Sequence, residues 1–292
     1  MGEKLLIEVL FKEVFMLISP RHQRYFMTPR DQSLPLYIES IGYNGSQEKV
    51  YRPAGYPYYH WLQTVKGAGE LKLSGASATL GENAGILLPP NLPHEYVRVQ
   101  KEWETIYITF GGSQCAAIVD SLGLGEPAFQ QWDMDSPLDH FARHVLDSIG
   151  SDQDLSGLEA SADMYRFLIL LKKHGMTGNR SSISQAVARL APLLAFMEQH
   201  YQDPDIGLEQ MACITGISSR HLNTLFKQSF GMTAYSYFIL LRIRKSKELL
   251  TGSRELTIKE TAIRAGFRDA SHFVATFRRI EGVTPEQFRN LY

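Results

Sequence analysis

The pattern of apolar and polar positions divides the chain into a β-like part followed by a helical part. In residues 35–112, short runs of Tyr, Thr, Val, Leu and Ile are interrupted by glycines and by a Pro-Pro-Asn turn. Their spacing of about 8–12 residues is typical of a β-sandwich or barrel. From residue 137 onward, apolar positions instead recur at helical spacing. The pattern therefore predicts an α+β chain with the sheet first.

The helical part begins with two amphipathic segments in residues 137–174. The second segment carries a wide apolar stripe, of the kind that packs within a domain or between subunits. That stripe consists of Leu158, Met164, Phe167, Leu168 and Leu171. Residues 175–184 are rich in glycine and serine and lack periodicity, which predicts a flexible linker.

The C-terminal part contains one helical pattern twice, with the two copies 50 or 51 residues apart. Each copy has apolar positions at helical spacing, a glycine turn, and a small alanine where two helices would cross. These features predict helix-turn-helix units at about 205–231 and 256–282, joined by a long helix. The repeated positions are Leu208, Ala212, Gly216, Leu222, Phe226 and Gly231, and then Ile258, Ala262, Gly266, Phe273, Phe277 and Gly282.

The repeat resembles the signature of the AraC (arabinose-regulator) family of transcription factors. The resemblance covers about residues 190–292, and Ser246 and His272 stand where the family usually has Ala and Tyr. It implies an all-α DNA-binding domain at 186–292 in a regulator of transcription, and an activator rather than a repressor. The matching positions include Arg242, Leu249, Leu250, Phe267, Asp269, Ser271, Thr284, Pro285 and Arg289.

A second resemblance covers the β-like part. The segment from His60 to Tyr96, together with residues 103–112, is similar to the jelly-roll (cupin) sensor domain of the same family. The resemblance implies that residues 1–178 form a cupin-like β-barrel that binds a ligand and carries a helical dimerisation segment. Since this segment commonly pairs two subunits in the family, a homodimer is implied.

The charge of the chain is distributed unevenly. The whole chain has a net charge of −1, but residues 201–292 hold 13 Lys and Arg against 9 Asp and Glu. Residues 1–200 hold 17 basic against 22 acidic residues. This asymmetry favours a C-terminal part that contacts DNA and an N-terminal part that does not.

The second helix of each copy is predicted to face DNA, and the two outward faces differ. Arginine suits guanine and asparagine suits adenine, so we expect the first copy to read bases and the second to bind mainly the backbone. Alternatively, the second copy's helix faces another protein surface. The candidate residues in the first copy are Ser219, Arg220, Asn223, Thr224 and Lys227. Those in the second are Arg268, Ser271, His272, Arg278 and Arg279, with Val274 and Ala275 as contacts for thymine methyl groups.

The β-like part is dense in aromatic residues, which stack on sugar rings while polar side chains supply directional hydrogen bonds. We therefore expect a small polar effector, with carbohydrates as the leading class; the competing interpretation is that the rings only fill the core. The resemblance to the family's pocket strands points to Arg52, His60, His94, Tyr96, Thr105 and Tyr107.

Metal-dependent cupins use a His-x-His pair, a glutamate and a later histidine, whereas the β-like part, residues 35–112, contains only His60 and His94. A catalytic metal usually needs three protein ligands. We therefore expect no metal, no cofactor and no enzymatic activity. Two alternatives stay open: a ligand-independent regulator whose barrel only dimerises, and a cupin enzyme tethered to DNA.

Nothing in the sequence predicts secretion or membrane insertion. Cys115 and Cys213 are far apart and form no disulfide or zinc pattern. The apolar N-terminal segment is short and is interrupted by Glu8, Lys12 and Glu13. A cytoplasmic protein is therefore expected. Its expected partners are promoter DNA, a small-molecule effector, a second copy and, for an activator, RNA polymerase.

Overall fold

The computed structural model describes residues 22–26, 34–73, 75–151, 157–178, 181–253 and 255–292. The N-terminal apolar segment and residues 179–180 of the predicted linker lie outside the described residues. The chain divides into two compact units, Met1–Ser182 and Ile183–Tyr292. The first contains an antiparallel sheet with helices and the second is entirely helical in its described residues, which confirms the predicted α+β division.

The described strands of the first unit form one eight-stranded sheet in the order β1-β2-β7-β4-β6-β8. The short strands β3 and β5 pair with β7 and β4, and every ladder between strands is antiparallel. The end strands β1 and β8 do not pair with each other among the described residues, so jelly-roll closure stays a prediction. The strands are β1 (His22–Phe26), β2 (Tyr37–Asn44), β3 (Val50–Arg52), β4 (Tyr59–Leu73), β5 (Ala76–Leu80), β6 (Ala84–Leu88), β7 (His94–Gly111) and β8 (Ala128–Gln131).

Strands β4 and β7 are long and irregular, and each pairs with different strands at its two ends. The start of β4 pairs with β6 and its end with β5, whereas the start of β7 pairs with β3 and its end with β2. Their register shifts twice, around Val65 and around Ala68. Gly67 has a φ of 76°, and a Cβ there would lie 2.0 Å from the carbonyl oxygen of Glu102. Gly69 lies beneath the ring of Trp103, which is fully buried. The two glycines therefore allow the strands to bend closely around a large aromatic side chain.

Successive side chains of these strands lie on opposite faces of the sheet, as strand geometry requires. Trp61 and Ile108 belong to a core that also contains helical residues, whereas Leu62 and Tyr107 belong to a second core on the other face. Among its described residues, this unit has three helices: α1 (Cys115–Ser121), α2 (Pro137–Ser151) and α3 (Leu158–His174).

The apolar stripe predicted on α3 packs mainly inside the unit. Met164, Phe167, Leu168 and Leu171 are buried in the helical core, and the ring of Phe167 lies 5.4 Å from that of Trp61. Leu158, the first residue of the stripe, is instead exposed. The outer face of the helix also exposes apolar side chains, at Ala162, Tyr165 and Ile169.

The second unit consists, in its described residues, of two helix-turn-helix copies and the helices that support them. Its helices are α4 (Ile183–His200), α5 (Leu208–Thr215), α6 (Ser219–Phe230), α7 (Ala234–Gly252), α8 (Ile258–Arg264), α9 (Ala270–Glu281) and α10 (Pro285–Arg289). The 19-residue helix α7 contributes to both apolar cores of the unit. Phe238 lies in the core of the first copy and Ile243 in that of the second.

Arg242 fastens the loop after α4 to the middle of α7. Its side chain is buried, and its Nε and Nη2 donate to the backbone carbonyls of Tyr201 (2.9 Å) and Asp203 (2.6 Å). Gly266 leaves room for this loop, since a Cβ there would lie 2.0 Å from the carbonyl oxygen of Tyr201. The carbonyls satisfy a guanidinium that would otherwise be costly to bury.

Candidate DNA-binding helices and a polar cavity in the sheet unit

Local sequence determines how α6 is placed. Gly216 ends α5 with a φ of 66°, and the hydroxyl of Ser218 accepts a hydrogen bond from the backbone N–H of His221 (3.3 Å), capping α6. Three apolar residues of α6 are buried against its neighbours: Leu222, Leu225 and Phe226. The helix must therefore present its opposite, polar face outward.

That outward face contains most of the predicted residues of the first copy. Arg220, Thr224 and Lys227 are exposed and lie along one side of α6, with Ser219 half-buried at its start. Two further exposed residues flank them, His221 and Gln228. Sequence reasoning missed this pair, although strict helical periodicity from the buried positions includes both.

Asn223, another of the residues predicted to read bases, makes a contact within the helical unit. It is only half-exposed, and its Oδ1 accepts a hydrogen bond from the backbone N–H of Ala234 at the start of α7 (3.1 Å). Recognition of adenine would require that oxygen to accept from the base instead. In this structure Asn223 therefore connects α6 to α7.

Helix α9 is capped by Asp269, whose Oδ1 accepts from the backbone N–H of His272 (2.7 Å). Val274, a predicted methyl contact, is partly buried and packs against the core of the second copy, so it is not part of the open face. Arg268 forms an ion pair with Asp205 (2.5 Å) between two highly exposed side chains. The exposed residues of α9 are Ser271, His272, Ala275, Arg278 and Arg279.

The sheet unit contains a cavity of about 490 Å³, which we call the sheet cavity. Strands β1, β2, β3, β4 and β7 all contribute to its lining. Of the predicted effector residues, the lining includes Arg52, His60, Tyr96 and Tyr107. Sequence reasoning missed others, among them Arg24, Ser40, Gln47, Tyr56 and Thr109.

His94 and Thr105 were predicted as ligand residues but do not line the sheet cavity. His94 donates its Nδ1 proton to the carbonyl oxygen of Leu92 (2.8 Å), and its ring stacks on Tyr96. Thr105 is fully buried and donates its hydroxyl to Oε1 of Gln47 (2.7 Å). His94 therefore supports Tyr96 and Thr105 supports Gln47, and neither faces the cavity itself.

Two polar side chains of the sheet cavity, His60 and Tyr96, are almost fully buried. His60 is 3% exposed, and burial, followed by the nearby Arg52 and His94, lowers its pKa well below the ordinary value. Its imidazole is therefore neutral near pH 7. Nδ1 lies 3.0 Å from the hydroxyl of Thr109, while Nε2 has no hydrogen-bond partner among the described residues. Burial likewise raises the pKa of Tyr96 to about 12.

Within the described ranges, no group of three or more His, Cys, Asp or Glu side chains could hold a metal ion. Among the helices that the structure describes, none is long and apolar enough to cross a membrane.

Two parts of the chain match known protein families. Residues 37–168 match the AraC-like ligand-binding domain, and residues 211–291 match a helix-turn-helix domain. These ranges contain most of the sheet unit and the second helix of each helix-turn-helix copy, α6 and α9.

Curated relatives are similar to this chain over part of their length. The transcriptional activator RhaS of Klebsiella pneumoniae (strain 342) is 29% identical over 162 residues, which are 54% of this chain and 56% of that protein. RhaS of Escherichia coli (strain K12 / DH10B) is 33% identical over 124 residues, 42% of this chain and 43% of that protein. The chain thus spans about half the length of the curated relatives it matches.

A solved structure of an AraC-type regulator from Chromobacterium violaceum is 27% identical to this chain. The match covers 37% of this chain and 94% of that one, with a TM-score of 0.34.

Proposed function

Because the chain belongs to the AraC family, we propose that it is a transcription regulator, and an activator, that binds promoter DNA through α6 and α9. The observation that carries this proposal is the pair of helix-turn-helix copies built on α7, each with an exposed polar face on its second helix. Its partners would be promoter DNA and RNA polymerase, and it would act in the cytoplasm.

The two copies are assigned different tasks on DNA. Arg220 and Thr224 lie centrally on the exposed face of α6, where they would reach base edges, with Ser219 and Lys227 toward the phosphates. On α9, Ser271 and His272 can hydrogen-bond bases. Arg268, Arg278 and Arg279 would bind the backbone.

Selection of duplexes from a random library by the full chain, at stated salt, tests the proposal. We expect enrichment of a defined site, and weaker binding to that site as salt rises, because phosphate contacts release counterions. Equal affinity for enriched and random duplexes, or no binding to either, would contradict a sequence-specific regulator.

The sheet cavity is the proposed effector site, and carbohydrates are the proposed class of effector. A cavity of about 490 Å³ with unpartnered buried polar atoms is suited to a small polar molecule rather than to a filled structural core. An effector would regulate DNA binding only if it favoured one conformation of the chain over another. Thermal unfolding with a panel of sugars tests this part, and no shift by any ligand would favour a ligand-independent regulator.

The homodimer is proposed to form through the outer face of α3. Ala162, Tyr165 and Ile169 follow a spacing of three and four residues, and Tyr165 and Ile169 are 49% and 37% exposed. Ile169→Glu should convert a dimer into a monomer in sedimentation measurements, because it buries a charge at the seam. Ile169→Leu is the matched control, and an unchanged mass with Ile169→Glu would rule out this surface.

A further inference from the structure

We propose that the effector is a sugar acid, whose carboxylate is held by Arg52 and Arg24 in the sheet cavity. This inference rests on the proposed function of the cavity as the effector site and concerns only the chemistry of the ligand. A neutral sugar would offer no carboxylate to the buried, unpartnered Nη1 of Arg52.

The guanidinium of Arg52 lies 4.5 Å from the ring centroid of Tyr56, on the cavity lining. Its Nη1 is buried and has no hydrogen-bond partner among the described residues. A buried donor without an acceptor is costly, and a charged donor more so. A carboxylate accepts from a guanidinium through two parallel hydrogen bonds, so it would satisfy this group best.

Arg24 contributes a second positive charge to the cavity. The guanidinium of Arg24 lies 5.8 Å from the ring of Tyr107, and both arginines act to lower the pKa of Tyr107 and of Tyr96, opposing burial. The two positive groups therefore act on the same pair of hydroxyls. A ligand between them would experience the field of both.

The carboxylates near the cavity do not pair directly with these arginines. In the described part of the chain, neither Arg24 nor Arg52 forms a salt bridge. Glu39 instead accepts hydrogen bonds from the hydroxyls of Ser40 (2.6 Å) and Tyr56 (3.2 Å). Glu48 is an exposed residue on the lining. Both guanidinium groups can therefore still pair with the carboxylate of a ligand.

Other residues of the lining are suited to hydroxyl groups of the ligand. His60 is more than nine-tenths buried, lines the cavity, and has an unpartnered Nε2. Since its ring is neutral, it is suited to a hydroxyl rather than to a second carboxylate. The hydroxyls of Tyr96, Tyr107 and Thr109 also line the cavity. One anionic group next to several hydroxyl partners describes a polyhydroxylated carboxylic acid.

Matched pairs of acid and neutral sugar test the inference on the full chain. Titration calorimetry would compare glucuronate with glucose, galacturonate with galactose, and gluconate with glucitol, at equal ionic strength. We expect at least one acid to bind about 10- to 100-fold more tightly than its neutral partner. Arg52→Gln should remove most of that preference without lowering the thermal midpoint of the free protein, because it removes a buried charged donor that has no acceptor.

Lys101→Gln is the control, because it removes one exposed positive charge of the same unit away from the cavity lining. It should leave acid binding unchanged. Acid binding that is equally strong with Arg52→Gln, or no tighter than neutral binding, would overturn the inference. If only neutral sugars bind, the inference fails while the proposed effector site stands; if none of the six binds, the carbohydrate class fails as well. Selection of a DNA site is unaffected by either result.

Discussion

The two helix-turn-helix copies share their buried positions and differ at their exposed ones. Leu222 and Phe226 of α6 are as fully buried as their counterparts Phe273 and Phe277 of α9. On the surface, Arg220, Thr224 and Gln228 of α6 correspond to Ser271, Ala275 and Arg279 of α9. Burial constrains the first set, because a core position must fill a fixed volume. The exposed positions carry no such constraint, so the copies can bind different parts of DNA.

One difference between the copies is structural rather than functional. In the first copy, Asn223 accepts a hydrogen bond from the N–H of Ala234, the first residue of α7. In the second copy the corresponding residues are Val274 and Pro285, and Pro285 begins α10. Proline has no N–H, so the second copy needs no acceptor there. The exchange of Asn for Val thus accompanies the loss of a donor.

Substitutions at the equivalent buried positions of the two copies should have the largest effects on stability. Phe226→Ala and Phe277→Ala should each lower the free energy of unfolding by about 3–5 kcal/mol, because each leaves a cavity in a packed core. Urea unfolding followed by circular dichroism measures both. Ile263→Ala is the control: this side chain is 55% exposed, and its loss should cost about 0.5 kcal/mol or less. A negligible cost for only one of the phenylalanines would show that the scaffolds are not equivalent.

The difference between the exposed faces predicts the next largest effect. Arg220→Ala should weaken binding to the selected site by about 1–3 kcal/mol and relax base preference at one position. Arg278→Ala should weaken binding to selected and random duplexes alike and reduce the salt dependence, because it removes a phosphate contact. Fluorescence anisotropy with both duplexes over a range of salt separates the two behaviours. Equal losses on both duplexes for Arg220→Ala would remove α6 as the reading helix.

The hydrogen bond between Asn223 and Ala234, which only the first copy has, can be tested by its effect on stability. Asn223→Ala should lower the free energy of unfolding by about 1 kcal/mol, since the N–H of Ala234 loses its acceptor. In an Ala234→Pro background, where that N–H is absent, the same change should cost much less. Urea unfolding of the four proteins measures this coupling.

Asn223→Asp is the matched control, because it keeps an acceptor oxygen at the same place. Coupling close to zero, together with a loss of base preference in Asn223→Ala, would instead return Asn223 to the base-reading residues.

Local patterns predicted most of the helical unit, because a helix-turn-helix copy is specified by residues close in sequence. The spacing of Leu222 and Phe226 and the turn at Gly216 were sufficient to place α6. Asn223 could not be assigned in this way. Its hydrogen bond depends on where the start of α7 approaches α6, eleven residues later, and helical periodicity alone only places the side chain near the surface.

The sheet cavity was less predictable, because residues distant in sequence form it. Tyr96 and Tyr107, two of the predicted effector residues, lie on the lining, but Arg24 was missed since β1 lies before the segment whose pattern indicates strands. Thr105 shares the alternation of Tyr107, yet its hydroxyl is directed to Gln47. Alternation identifies the face of a strand, whereas the extent of a cavity on that face depends on side chains from neighbouring strands.

The smallest predicted effect concerns how the first helix of each copy begins. Thr257 and Glu260 form a capping box at α8, whereas α5 begins after Gly207, which offers no side-chain cap. Gly207 has an extended backbone, a Cβ there would meet nothing within 4 Å, and Gln210 already occupies the position of Glu260. Gly207→Thr should therefore raise the free energy of unfolding by about 0.3 kcal/mol, completing a second capping box.

Thermal unfolding of Gly207→Thr beside Gly207→Ala measures this small gain and identifies its cause. Alanine also restricts the unfolded chain, but it has no oxygen to accept from the backbone N–H of Gln210. Because alanine is a poor N-cap residue, Gly207→Ala should be less stable than Gly207→Thr. Equal midpoints for the two variants would assign the gain to the unfolded chain, and the beginnings of α5 and α8 would then differ in sequence without differing in stability.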